Sequence, residues 1–139
     1  MPEAASRGGA VVIGVGNEFR GDDAAGLIVA RRLRERVATQ AVVLAWEDNP
    51  AGLLDVWTGA DQAILVDTVV SGAKPGTVQR FDTSAVPLPA SLAGSSTHAL
   101  GVAEAIELAR ALHRLPGRII VYGIEGSSFS AGAPLDPTV

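Results

Sequence analysis

Ala10-Val11-Val12-Ile13-Gly14-Val15-Gly16-Asn17-Glu18-Phe19-Arg20-Gly21-Asp22-Asp23 is the stretch on which the fold turns. Its first six residues form a continuous apolar run, the pattern of a strand buried on both faces of a parallel sheet. The period then changes. From Asp22 to Val37, apolar residues return at Leu27, Ala30, Leu33 and Val37, near helical spacing, while arginines fill the other side. A buried strand, a glycine-rich turn and an amphipathic helix make the opening of an α/β unit.

The same alternation continues outward. Ala41 to Trp46 reads as a second strand. Asn49 and Pro50 suit an N-cap and a first helical position, and a short helix from Ala51 to Trp57 ends near Gly59. Gln62 to Val66 is a third buried strand leading to Asp67. Lys74-Pro75-Gly76 makes a turn into a fourth strand, Thr77 to Phe81, at an edge. Residues 83–97 are irregular and rich in Ser, Pro and Ala, and a loop of that length in a compact domain is often functional. Ala99 to His113 is a helix with Val102, Ile106 and Ala109 on one face, broken by Leu115-Pro116-Gly117. Arg118 to Ile124 is a fifth strand, and Gly126 to Val139 is a loop-like tail expected near the open site. The expected fold is a three-layer α/β/α domain around a mostly parallel, twisted sheet of about five strands. Right-handed crossovers put the loops after the strands on one edge, and the working site of such folds lies beyond those carboxyl ends.

With 139 residues the chain is one domain, residues 10–139, after a short disordered lead-in, residues 1–9. It has no cysteine, which excludes disulfides, thiolate metal sites and a cysteine nucleophile. A net charge of −4 without a basic stripe argues against a nucleic-acid partner. Arg31, Arg32, Arg34 and Arg36, interrupted by Glu35, read as one solvated helix face. There is no apolar stretch of about 18 residues and no signal-peptide core, so no membrane partner and a cytoplasmic location are expected.

The turn from Gly14 to Asp23 superficially resembles a dinucleotide loop. That pattern wants a third glycine where Phe19 stands, and two carboxylates sit where a pyrophosphate needs positive potential. Asp22 and Asp23 also suit plain helix capping, although one aspartate is enough for that. Asp67 ends an apolar strand, where it calls either for loop amides or for a cation. His98, in Ser95-Ser96-Thr97-His98, stands just before a helix, either as an entry residue or as a functional imidazole. His113 falls at a helix C-terminus, where a cation is favourable. Asp23, Asp67 and His98 fall on loops that converge in a parallel sheet. Two carboxylates and an imidazole suit a divalent ion such as Ni(II), Zn(II) or Mn(II), with water completing the shell. No ligand pair one helical turn apart supports this locally. Neither H-E-x-x-H nor G-x-S-x-G occurs.

Four ordered blocks together resemble the hydrogenase maturation endopeptidase family. They are Gly14, Gly16, Asn17, Asp22, Asp23 and Gly26; Val66-Asp67-Thr68-Val69-Val70-Ser71-Gly72 followed by Pro75-Gly76-Thr77; Ser96-Thr97-His98 with Leu100 and Gly101; and Gly123-Ile124-Glu125 followed by Gly132 and Leu135. The resemblance implies an aspartic-type endopeptidase activity that removes the C-terminal extension of a nickel-loaded [NiFe]-hydrogenase large-subunit precursor. It implies that Asp23, Asp67 and His98 contact the metal and carry catalysis through it. The Ni(2+) is supplied by the substrate, and other divalent cations are expected to substitute in vitro. Glu18, Asp22, Glu47 and Asp48 are lower-ranked bases or supporting groups. Two positions depart from the family. Glu47-Asp48-Asn49-Pro50 stands where Asp-Gly-Gly-Thr is usual, and the chain ends at Val139 where the family continues into a final helix. Apolar sheet left bare by that helix is expected to invite homo-oligomerisation or instability. The rival readings are a non-catalytic metal-binding or chaperone-like homologue and a nucleotide-binding Rossmann-like module.

Overall fold

A computed structural model describes residues 9–16, 21–36, 42–47, 49–89, 101–127 and 139. The expected lead-in at 1–8, His98 and most of the tail lie outside these residues. The elements are β1 (Ala10–Val15), a 3-10 turn (Gly21–Ala24), α1 (Ala25–Arg36), β2 (Val42–Trp46), a 3-10 turn (Pro50–Gly52), α2 (Leu53–Trp57), β3 (Gln62–Val69), β4 (Val78–Asp82), α3 (Val102–Ala111) and β5 (Arg118–Glu125).

The five strands form one sheet in the order β2-β1-β3-β5-β4. The pairs β1–β2, β1–β3 and β3–β5 are parallel; β4 runs antiparallel to β5 at the edge. The apolar run that opened the reading is the interior strand β1, with Val11, Val12, Ile13 and Val15 all buried. Alternate residues face alternate layers. Val11, Ile13, Val15, Ala63, Leu65, Ile119 and Val121 meet Leu53, Trp57, Val102 and Ile106 of α2 and α3. On the opposite face Val12 and Val43 meet Ala30 of α1, with Leu33 and Ile64 packed beside them. This is the expected three-layer α/β/α arrangement. The arginines of α1 are exposed, and among the described residues no helix is long and apolar enough to cross a membrane.

Several element boundaries differ from the sequence reading. The first helix was expected to start at Asp22, but Gly21, at φ +56, turns the chain into a 3-10 turn first. In front of α2, Asn49 does act as the cap, its Oδ1 accepting from the Ala51 amide at 3.0 Å, and Pro50 opens the turn. β3 does not end before Asp67. Asp67, Thr68 and Val69 pair with Gly123, Ile124 and Glu125, so the aspartate lies within the strand. α3 is shorter than Ala99 to His113 and closes earlier, with Leu112 as its cap. The His113 amide bonds to the Arg110 carbonyl at 3.3 Å and the Arg114 amide to the Ala109 carbonyl at 2.8 Å. His113 has φ 57 there, a left-handed position that glycine usually fills.

The reversed direction of β4 accounts for the long segment after it. Asp82 pairs with Ile120, and the Thr83 amide bonds to the Ile119 carbonyl at 2.9 Å, so the chain leaves β4 at the amino end of the parallel strands. It must return the full length of the sheet, because α3 leads back down into β5. Arg110 fastens the start of that return. Its guanidinium donates to the Ser84 carbonyl at 2.9 Å and the Thr83 carbonyl at 2.8 Å while pairing with Glu107.

Candidate active site

The carboxyl ends of β1, β2, β3 and β5 share one edge, and two glycines draw the first turn down onto it. A Cβ on Gly14 would stand 2.0 Å from the Gly26 carbonyl oxygen. A Cβ on Gly26 would stand 2.5 Å from the carbonyl oxygens of both Val15 and Val66. No side chain fits between helix and sheet at that spacing. These glycines therefore serve close packing of α1 on β1 and β3. A dinucleotide is not needed to explain them.

The turn Gly21–Ala24 then sits against β3. Asp22 is fully buried in it. The Thr68 hydroxyl donates to the Asp22 carbonyl at 2.8 Å. Ser127, just beyond β5, donates its amide to Asp22 Oδ2 at 2.6 Å and its hydroxyl to the same oxygen at 3.2 Å. One residue thus joins three segments of the edge.

Asp67 is 7% exposed. Its strand parity puts it on the α2–α3 side of the sheet with Ala63 and Leu65, whereas Thr68 faces the α1 side and reaches Asp22. The Thr68 amide donates to Asp67 Oδ1 at 2.8 Å. Gly123, its partner across the ladder, brings no side chain to the same spot.

Of the three residues expected to share a metal, Asp67 is described in full. Asp23 is described in its backbone only, and His98 lies outside the described residues. The residues next to the two aspartates, Asp22 and Thr68, are in direct contact. Among the described residues no group of three metal-ligating side chains forms. Glu47 is exposed beyond β2, while Glu18 and Asp48 lie outside the described part.

Sequence reasoning gave no role to Glu125, which is 3% exposed. Its carboxylate accepts the Ser71 amide at 2.9 Å and the Ser71 hydroxyl at 2.5 Å. The Gly76 amide bonds to its carbonyl, and its own amide to Thr77, so Glu125 pins both ends of the β3–β4 loop. The signal was present: a carboxylate ending an apolar strand needs donors, and Ser71 was already in a motif block. Thr68 stood in the same block without a role of its own, and Ser127 carried no signal, since a lone hydroxyl is common anywhere.

Comparison with known proteins adds an independent line. The family model described as hydrogenase maturation protease matches residues 29–139. The hydrogenase 2 maturation protease of Escherichia coli is 29% identical over 133 residues, covering 93% of this chain and 80% of its own length. A solution structure of an endopeptidase from Escherichia coli superposes with a TM-score of 0.81 at 27% identity, covering 94% of this chain and 82% of that one. A [NiFe] hydrogenase maturation protease from Thermococcus kodakarensis gives a TM-score of 0.72 at 26% identity, covering 94% of this chain and 81% of that one.

Proposed function

The chain belongs to the hydrogenase maturation protease family, and from that premise we propose that Asp23, Asp67 and His98 together read a nickel ion seated in the precursor it cleaves. The enzyme is an endopeptidase that removes the C-terminal extension of a hydrogenase large subunit.

The observation that carries the reading is the position of Asp67. It is a buried carboxylate on the carboxyl edge of the sheet, beside the residue that clasps the Asp22–Asp23 turn. A buried carboxylate needs hydrogen bonds or a cation. The Thr68 amide donates to Asp67 Oδ1. Gly101 opens α3 on the same side of the sheet as Asp67. His98 is three residues earlier, a reach of at most about 10 Å of chain. Carboxylates and a neutral imidazole suit nickel(II) as ligands.

In this reading the metal belongs to the substrate. The bound ion anchors the precursor tail and polarises the scissile carbonyl or a water. The two aspartates and the histidine hold the loaded region in the cleft, so an empty precursor loses that anchor. Oriented water attacks the scissile carbonyl carbon, a neighbouring carboxylate takes the water's proton, and it passes that proton to the leaving amine as the C–N bond breaks.

The experiment is cleavage of nickel-loaded precursor by Asp23→Asn, Asp67→Asn and His98→Gln. Each should fall at least about a hundredfold in kcat/KM. Normal processing by all three variants would remove the assignment. Metal-free precursor should remain uncut by the parent enzyme.

A further inference from the structure

Asp22 takes no part in the proposed metal contact. It is fully buried, although it sits beside a residue assigned to the substrate's metal. Capping of α1 alone does not account for its contacts. Its Oδ2 is engaged by the amide and hydroxyl of Ser127, 105 positions along the chain. Its carbonyl is engaged by Thr68, the residue after Asp67.

We infer that Asp22 is a positioning residue that sets the direction of Asp23 against Asp67. A peptide unit is planar, so fixing the Asp22 carbonyl also fixes the amide that begins Asp23. The Thr68 hydroxyl fixes that carbonyl from β3, the strand that carries Asp67. The two metal-facing aspartates are therefore referenced to each other through one hydrogen bond. The Ser127 contact holds the other end of Asp22 and brings in the segment after β5. Gly126 is held in turn by its amide bond to the Val69 carbonyl at 3.0 Å, so this clamp is rooted in the sheet. A metal site whose ligands come from separate loops needs such support, because displacements of about half an ångström already cost function. The inference rests on the proposed nickel reading.

Three variants test it. Thr68→Val keeps the β-branched shape and removes only the hydroxyl that binds the Asp22 carbonyl. Asp22→Ala removes the Ser127 contact. Asp22→Asn keeps one side-chain acceptor for it. The readouts are Ni(2+) affinity of the free enzyme by isothermal titration, kcat and KM on loaded precursor, thermal midpoint, and amide exchange at Ser127. Thr68→Val and Asp22→Ala should weaken Ni(2+) binding about tenfold and lower kcat by a similar factor at temperatures where both are folded. Asp22→Asn should recover to within about threefold of the parent. The Ser127 amide should exchange faster in Asp22→Ala than in Asp22→Asn.

A purely structural residue would give a different pattern. The thermal midpoint would fall while Ni(2+) affinity and kcat stayed at parental values below it, and that result overturns the inference. If Asp22→Ala does not fold, Thr68→Val decides alone. Should Asp23→Asn and Asp67→Asn also leave Ni(2+) affinity and cleavage unchanged, the nickel reading itself fails. If those two variants lose both while Thr68→Val keeps both, only the positioning role of Asp22 fails.

Discussion

Glu125 and Ser71 are joined twice, the carboxylate of the first accepting both the backbone amide and the hydroxyl of the second at 2.9 and 2.5 Å. Asp22 and Ser127 repeat the device on the other side of the edge. In each pair a buried acid rooted in the fold takes both donors of a loop serine. Charge-assisted bonds of this kind are the stronger ones.

Glu125→Ala should therefore cost about 2–3 kcal/mol, because it strands a part-buried amide and hydroxyl. Ser71→Ala, which removes only the hydroxyl, should cost about 1 kcal/mol. Urea unfolding measures both. Equal losses for the two variants would show that the amide contact contributes little.

Gly14→Ala should be strongly destabilising. Its methyl would meet the Gly26 carbonyl at 2.0 Å, a backbone atom that cannot swing aside. A loss of about 3 kcal/mol or more, or insoluble expression, is expected. Gly72→Ala is the control: nothing lies within 4 Å of its added carbon, and only its φ of +90 opposes it. A stable, well-folded Gly14→Ala protein would contradict the close packing of α1 on β1.

The fold was legible in sequence because its signals are local and redundant. The run from Ala10 to Val15 and the helical recurrence of Leu27, Ala30 and Leu33 each suffice to call an element. The extent of β3 was not legible. An aspartate normally argues for a strand's end, and only pairing with Gly123 to Glu125 carries the strand through it. The candidate aspartates could be picked out singly, but their relationship could not. It runs through Thr68 and Asp22, residues 46 positions apart whose bond leaves no pattern in the chain.

Acid should expose one surface pair. The Arg110 hydrogen bond holds the Glu107 carboxyl below its ordinary 4.5. A depressed folded value means the stabilisation is present above the unfolded value and is lost as pH falls through the folded one. Glu107 is 43% exposed, so the effect stays below about 1 kcal/mol. The stability difference between parent and Glu107→Gln should be positive at pH 6 and shrink toward zero by about pH 3. Denaturant melts at both pH values check this, and a difference that grows on acidification would reverse the sign.

His113→Gly should stabilise. The histidine occupies a left-handed position at φ 57, which costs a residue with a Cβ about 1 kcal/mol. The helix-closing bonds to Arg110 and Ala109 use backbone atoms only and survive the change. A gain of about 0.5–1 kcal/mol should raise the melting temperature by a few degrees in calorimetry. A fall would mean that the imidazole itself stabilises the closure.

The strand order also dictates when the enzyme can become competent as it is made. Among the described residues, β1, β2 and β3 pair among themselves using residues up to Val69, whereas β4 pairs with β5, the last of the five described strands to leave the ribosome. Both aspartates of the proposed nickel reader belong to the early half, and the imidazole arrives with the late one. On the proposed reading, the nascent chain therefore holds an unfinished reader until β5 docks between β3 and β4.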